Sequence, residues 1–113
     1  VTRFSPAEEI NATQLRQWLE TGEPVVLVDV RETWELQLAN LEPLGARHIP
    51  LGHLPRRMRE IDADAEIVVF CHHGNRSERA AQFLAANGYA RVHNLAGGID
   101  GWSREVDAGV PLY

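Results

Sequence analysis

The sequence predicts an α/β fold with a mainly parallel central sheet of about five strands between helical layers. Three observations lead there. Short β-branched runs alternate with segments of helical periodicity along the chain, as in successive βα units. Two runs, residues 25–30 and 66–70, are almost continuously apolar, as expected of central strands covered on both faces. The length, 113 residues, suits one domain, with a core over about 7–106 and a strap over 107–113.

The elements follow in order. Residues 7–10 read as a short first strand. Asn11 or Thr13 caps a helix running through Glu20, with Leu15, Trp18 and Leu19 on its buried side. Thr21-Gly22-Glu23-Pro24 ends it. The strand at 25–30 carries Asp29 near its C-terminal end. Residues 31–39 are expected to be helical, with Trp34, Leu36 and Leu38 as the apolar surface and Trp34, like Trp18, a core or boundary aromatic. Residues 46–49 form a strand closed by Pro50, and residues 52–61 a short helix carrying Leu54, Met58 and Ile61. After the strand at 66–70, residues 77–86 read as a helix stopped by Asn87-Gly88. Residues 92–95 give the last strand. Gly97-Gly98 starts a final helix containing Ile99 and Trp102, and the strap folds back on Val110, Leu112 and Tyr113. His48, His53 and His93 are expected at the surface or at helix ends.

Hydrophobic residues make up 44% and charged residues 24% of the chain, enough apolar material for a core without staples. A net charge of -5 argues against general affinity for nucleic acid or anionic membranes, and Arg56, Arg57 and Arg59 read as a solvated helix face. No apolar run approaches the ~20 residues of a membrane span, and no signal-peptide pattern precedes Phe4. The single cysteine excludes an internal disulfide and a multi-cysteine zinc site. A free thiol of this kind suits a reducing compartment, so the expectation is a cytoplasmic protein, monomeric or weakly dimeric.

That cysteine stands in the run Cys71-His72-His73-Gly74-Asn75-Arg76-Ser77, between a strand end and a helix start. A free thiol titrates near 8.5, so only about 3% is thiolate at pH 7. A helix N-terminus lowers that value by roughly one unit or less. Further lowering needs amides turned inward. Gly74 permits the curvature that brings the amides of residues 72–76 round one point, and Arg76 adds a permanent charge. The expectation is a thiol pKa below 7 and a nucleophilic sulfur. It requires the sulfur to reach solvent and the amides to face it. Asp29 ends another strand on the same surface, where ligands of such sheets collect. Asp29 and Arg31 are expected to anchor loops by hydrogen bonding, with Arg31 reaching Glu78, and Ser77 to cap the helix or brace the loop. His72 and His73 are adjacent in a loop with no set of ligands to complete a metal site.

Loop length separates two chemistries. Arg76 lies five positions after Cys71, whereas cysteine phosphatases place the arginine six positions on. A phosphoryl group presents three oxygens and needs a wide ring of donors. A persulfide adds one sulfur at about 2.05 Å and fits a narrower ring.

Four segments, in order, resemble the single-domain rhodanese family of thiosulfate sulfurtransferase-like proteins over about residues 10–102: Asp29-Val30-Arg31-Glu32, Ala46-Arg47-His48-Ile49-Pro50, the loop from Cys71 to Ser77, and Asn94-Leu95-Ala96-Gly97-Gly98-Ile99-Asp100-Gly101-Trp102. The resemblance implies a rhodanese-like three-layer α/β/α domain and a ping-pong reaction without cofactor or metal. Thiosulfate or another persulfide donor gives its outer sulfur to catalytic Cys71, and a thiol or protein acceptor, or cyanide in assays, removes it. His72, His73, Gly74, Asn75, Arg76 and Ser77 are the implied substrate-binding residues, supported by Asp29 and Arg31. Some thiosulfate-using members carry a cation beside the cysteine. Histidines stand there in this chain, so a persulfide is expected to serve better than thiosulfate. About ten extra residues separate the segment around Trp34 from Ile49. The alternatives are a non-catalytic rhodanese-like binding module and a cysteine phosphatase.

Overall fold

The computed structural model describes residues 7–113. Among these residues five strands form one sheet: β1 (Glu8–Ile10), β2 (Val25–Asp29), β3 (Arg47–His48), β4 (Glu66–Phe70) and β5 (Val92–Leu95), ordered β1-β5-β4-β2-β3 with every pair parallel. Four α-helices accompany them: α1 (Ala12–Glu20), α2 (Leu54–Arg57), α3 (Asn75–Ala86) and α4 (Gly98–Glu105). The strands alternate their side chains between two cores. Val28, Ile67 and Val69 face Ala80, Ala81 and Leu84 of α3, whereas Leu27, Val68 and Phe70 face the side of Leu15, Ile99 and Trp102. This is the expected three-layer α/β/α arrangement.

Register matters most at β2 and β4. Val25 pairs with Glu66 and Asp29 with Phe70, so Asp29 and Cys71 emerge at the same end of neighbouring central strands. Asn11 caps α1: its side chain accepts a hydrogen bond from the Gln14 amide, and its own amide donates to the Gln14 side chain. No helix among the described residues is long and apolar enough to cross a membrane.

Several expectations need correction. Residues 31–39 contain only a 3-10 turn, Thr33–Gln37, and its inward residue is Glu35. Trp34 is 63% exposed and Leu38 also faces outward. The cause is Arg31, which lies buried beneath the turn and draws the carbonyls of Glu35 and Ala39 inward as acceptors. The strand at 46–49 shrinks to Arg47–His48, and the helix at 52–61 breaks into 3-10, α and 3-10 pieces. Helix α3 starts at Asn75, two residues early, with Gly74 as its cap residue at φ 116. His93 is buried rather than superficial, bonded to Glu66 and edge-on to Trp18. In the strap Val110 is buried, and Leu112 is 51% exposed.

Candidate active site

Cys71 follows β4 directly, and the chain then turns through His72 and His73 to Gly74 before α3 begins. The positive φ of Gly74 bends the loop back over the sulfur. The Gly74 amide donates to Sγ at 3.1 Å and the Ser77 amide at 3.4 Å, while the Ser77 hydroxyl oxygen lies 3.3 Å away. Burial pushes the Cys71 thiol up. The Ser77 hydroxyl and the amides of Ser77, Gly74 and His73 outweigh it, so the thiol titrates below its ordinary value. Of the amides of residues 72–76, those of His73 and Gly74 bear on the sulfur, and Ser77 adds one from outside that set.

The other requirement is not met. Cys71 is only 2% exposed, so the sulfur lies at the floor of the loop rather than at its surface. A ring of donors that closes round the sulfur also screens it from water.

Helix α4 clamps the loop from below. The Ile99 amide donates to the Cys71 carbonyl at 2.9 Å and the Asp100 amide to the His72 carbonyl at 3.1 Å. Gly98 makes this approach possible. Its φ is 60, and a methyl group there would overlap the carbonyl oxygens of His72 and Cys71.

Arg76 does not stand free. Its guanidinium grips Glu35 through two hydrogen bonds, and this pairing raises its own pKa further. Burial pushes Glu35 up, but Arg76, the Glu32 amide and the Tyr113 hydroxyl outweigh it and hold the carboxyl at about 2. Asp29 and Arg31 bond to each other. Arg31 Nε donates to Asp29 Oδ1 at 2.9 Å and Nη2 to Oδ2 at 2.7 Å, so Asp29, not Glu78, is its partner. Arg31 also donates to the Tyr113 hydroxyl at 3.0 Å, and that hydroxyl donates to Glu35 at 2.8 Å. The Tyr113 ring stacks on His72, with centroids 3.8 Å apart.

The predicted residues thus divide. Gly74 and Ser77 touch the sulfur. His73 is exposed, and Asn75 faces outward at the helix start. Burial, then His73, lowers the pKa of His72, so its ring is neutral at pH 7. Ser77 braces the loop, and the helix-cap position belongs to Gly74. His72, His73 and Asp100 bring ligand atoms within 4.8 Å of one another, a carboxylate the sequence did not reveal. The two imidazoles, however, lie stacked 3.8 Å apart and inclined by 27°. Such planes do not converge on one ion at bonds of about 2.0–2.1 Å.

The sequence reading missed Glu35, Asn94 and Tyr113. Asn94 ends beside Ser77, with its Oδ1 2.5 Å from the serine hydroxyl oxygen. All three come from segments distant in sequence. The one available signal was a polar residue beside apolar ones, Glu35 between Trp34 and Leu36 and Asn94 before Leu95.

A family model described as the rhodanese-like domain matches residues 11–105. A protein named sulfurtransferase from Allochromatium vinosum is 38% identical over 104 residues, covering 92% of each chain. The Zea mays protein named adenylyltransferase and sulfurtransferase MOCS3-2 is 32% identical over 111 residues, 92% of this chain but 23% of its own length, so the chain spans about a quarter of that relative. Among solved structures, a rhodanese-related protein from Thermoplasma volcanium superposes with a TM-score of 0.78 at 30% identity, over 88% of this chain and 93% of that one.

Proposed function

Since the chain belongs to the rhodanese-like domain family, we propose that it is a sulfurtransferase that carries sulfane sulfur as a persulfide on Cys71. The observation that carries this reading is the set of groups ranged round one sulfur: the Gly74 and Ser77 amides, which donate to it, and the Ser77 hydroxyl, within reach at 3.3 Å. Such a set stabilises negative sulfur where a bond is about to form.

The steps balance without a cofactor. The Cys71 thiolate attacks the outer sulfur of a donor, thiosulfate or a low-molecular-weight persulfide. The donor S–S bond breaks, and sulfite or a thiolate leaves with its electron pair. The outer sulfur of the Cys71 persulfide is then attacked by an acceptor thiolate, of a small molecule or a protein, and Cys71 departs as the thiolate. No second cysteine stands in the chain to capture the persulfide as an internal disulfide. Because Cys71 is almost fully enclosed, the rim parts before a donor reaches it.

The donor is constrained by charge. The Arg76 guanidinium is neutralised by Glu35 and the neighbouring His72 is neutral, so the loop offers an anion its amides rather than a free cation. A persulfide, whose reacting end carries at most one negative charge, suits this rim better than the thiosulfate dianion.

The test is mass spectrometry of the purified chain after incubation with thiosulfate and, separately, glutathione persulfide. The expected result is a gain of one sulfur atom, faster with the persulfide, lost in Cys71→Ser and discharged by added thiol. An unchanged mass with both donors overturns the proposal. Loading without discharge to any acceptor points instead to a non-catalytic binding module.

A further inference from the structure

Behind the sulfur lies a chain of polar groups with too few protons for the acceptors it faces. The Ser77 hydroxyl oxygen has three neighbours: Asn94 Oδ1 at 2.5 Å, the Gly74 carbonyl at 3.2 Å and Cys71 Sγ at 3.3 Å. The hydroxyl has one proton to give.

The Asn94 amide decides where that proton goes. Its Nδ2 donates to Glu9 Oε2 at 2.8 Å and to the Gly74 carbonyl at 3.2 Å, and both partners only accept. Turning the amide over would set its oxygen against a carboxylate and a carbonyl. The orientation is therefore fixed, with Oδ1 towards Ser77, and Oδ1 can only accept. The short 2.5 Å separation places the serine proton on the Asn94 side.

Ser77 then shows the sulfur a lone pair. A thiol meets that lone pair with its own S–H, as donor. A thiolate has no proton to offer, so the hydroxyl must swing round and donate to Sγ, leaving Asn94 Oδ1 without its partner. We infer that Asn94 is a positioning residue for Cys71: it holds the Ser77 proton while the sulfur is a thiol or a persulfide and yields it when the sulfur becomes a thiolate. In the persulfide the charge lies on the outer sulfur, so the hydroxyl returns to Asn94 and is ready to swing again as Cys71 leaves. This persulfide part rests on the sulfurtransferase reading, whereas the thiol–thiolate part does not.

Other charged and titratable groups surround the sulfur. His72 and His73 stand on the loop, Arg76 on α3 with its partner Glu35, Asp100 on α4, and Glu9 on β1 behind Asn94. A test must separate the hydroxyl from these. Titration of the Cys71 thiolate by ultraviolet absorbance is compared in the wild type, Asn94→Leu, Ser77→Ala and the double variant. Losing the acceptor frees the hydroxyl for sulfur, so Asn94→Leu is expected to lower the midpoint by about half to one unit. Ser77→Ala is expected to raise it. In the Ser77→Ala background, Asn94→Leu is expected to have no effect. A midpoint unmoved or raised by Asn94→Leu overturns the inference, as does an equal drop with Ser77 already gone.

A second measurement needs no Asn94 variant. The side-chain carbonyl ¹³C resonance of Asn94 in the wild type is expected to titrate in step with Cys71 and to stay flat in Cys71→Ser. A flat wild-type resonance overturns the inference. Neither experiment uses a sulfur donor, so a failure of persulfide loading leaves these outcomes unchanged, and the reverse also holds.

Discussion

Arg76 and Glu35 meet as a two-point ion pair, with Nη1 2.6 Å from Oε2 and Nη2 2.8 Å from Oε1. The pair joins α3 to the turn after β2, across the rim of the candidate site. The arginine that the resemblance implied as a substrate-binding residue thus fastens the rim in place, through the planar fork that only a guanidinium offers a carboxylate.

Acid should weaken the fold through Glu35. Its carboxyl titrates at about 2 in the folded chain against an ordinary 4.5. Between these values the unfolded chain binds the proton and the folded chain does not, so stability falls as pH drops from about 4.5 to 2. Above pH 4.5 the contribution is complete, roughly 3 kcal/mol at most for a side chain only 3% exposed. Urea denaturation across this range should show the loss, and Glu35→Gln should flatten it. An equal slope in the variant would assign the acid sensitivity to other groups.

Tyr113→Phe removes the hydroxyl that accepts from Arg31 and donates to Glu35, but keeps the ring against His72. The expected cost is about 1–2 kcal/mol, read from the urea midpoint at pH 7. Burial, opposed by Arg31 and assisted by Glu35, pushes the phenol up to about 12, so it remains a donor throughout the neutral range. A variant as stable as the wild type would show that water replaces the hydroxyl.

Gly98→Ala places a methyl group against the carbonyls of Cys71 and His72 at a φ of 60. Backbone cannot yield as a flexible side chain can. A loss of about 2 kcal/mol or more is expected, with persulfide loading reduced because the clamp beneath the loop opens. Calorimetry and mass spectrometry check the two effects. Gly52→Ala, where nothing lies within 4 Å of the added methyl, is the matched control and should change little.

Trp34→Ala should leave stability within about 0.5 kcal/mol, because the indole is mostly in solvent. The same substitution at Trp102, buried against the second core, should cost several kcal/mol. Chemical denaturation of both variants checks the outward setting of Trp34; a large loss in Trp34→Ala would place its indole in the core.

The strands at 25–30 and 66–70 were legible because apolar runs of that length have one stable setting in such a chain, and Cys71 was legible from its place between a strand and a helix. The turn around Glu35 was not. Its outward tryptophan and inward glutamate invert the hydrophobic pattern, and only partners from elsewhere in the fold make that inversion favourable: Arg76 and Tyr113 hold the Glu35 carboxylate, and Arg31, paired two residues back with Asp29, takes the Glu35 carbonyl. Asn94 was hidden for a related reason. A polar residue in a buried strand carries no periodic signal, and its purpose depends on Glu9 and Ser77, both remote in sequence. The enclosure of the sulfur was equally invisible, since spacing fixes which amides are available but not how far the loop closes.

The described outer strands are only three and two residues long, Glu8–Ile10 and Arg47–His48, with glutamates at the start of one and proline soon after the other. A strand from a second molecule would find few free backbone groups along either margin and would meet charge where it docked. The long, adhesive runs of valine and isoleucine stay in the middle of the sheet. Resistance to fibrillar self-association therefore comes from the order in which the strands are laid down.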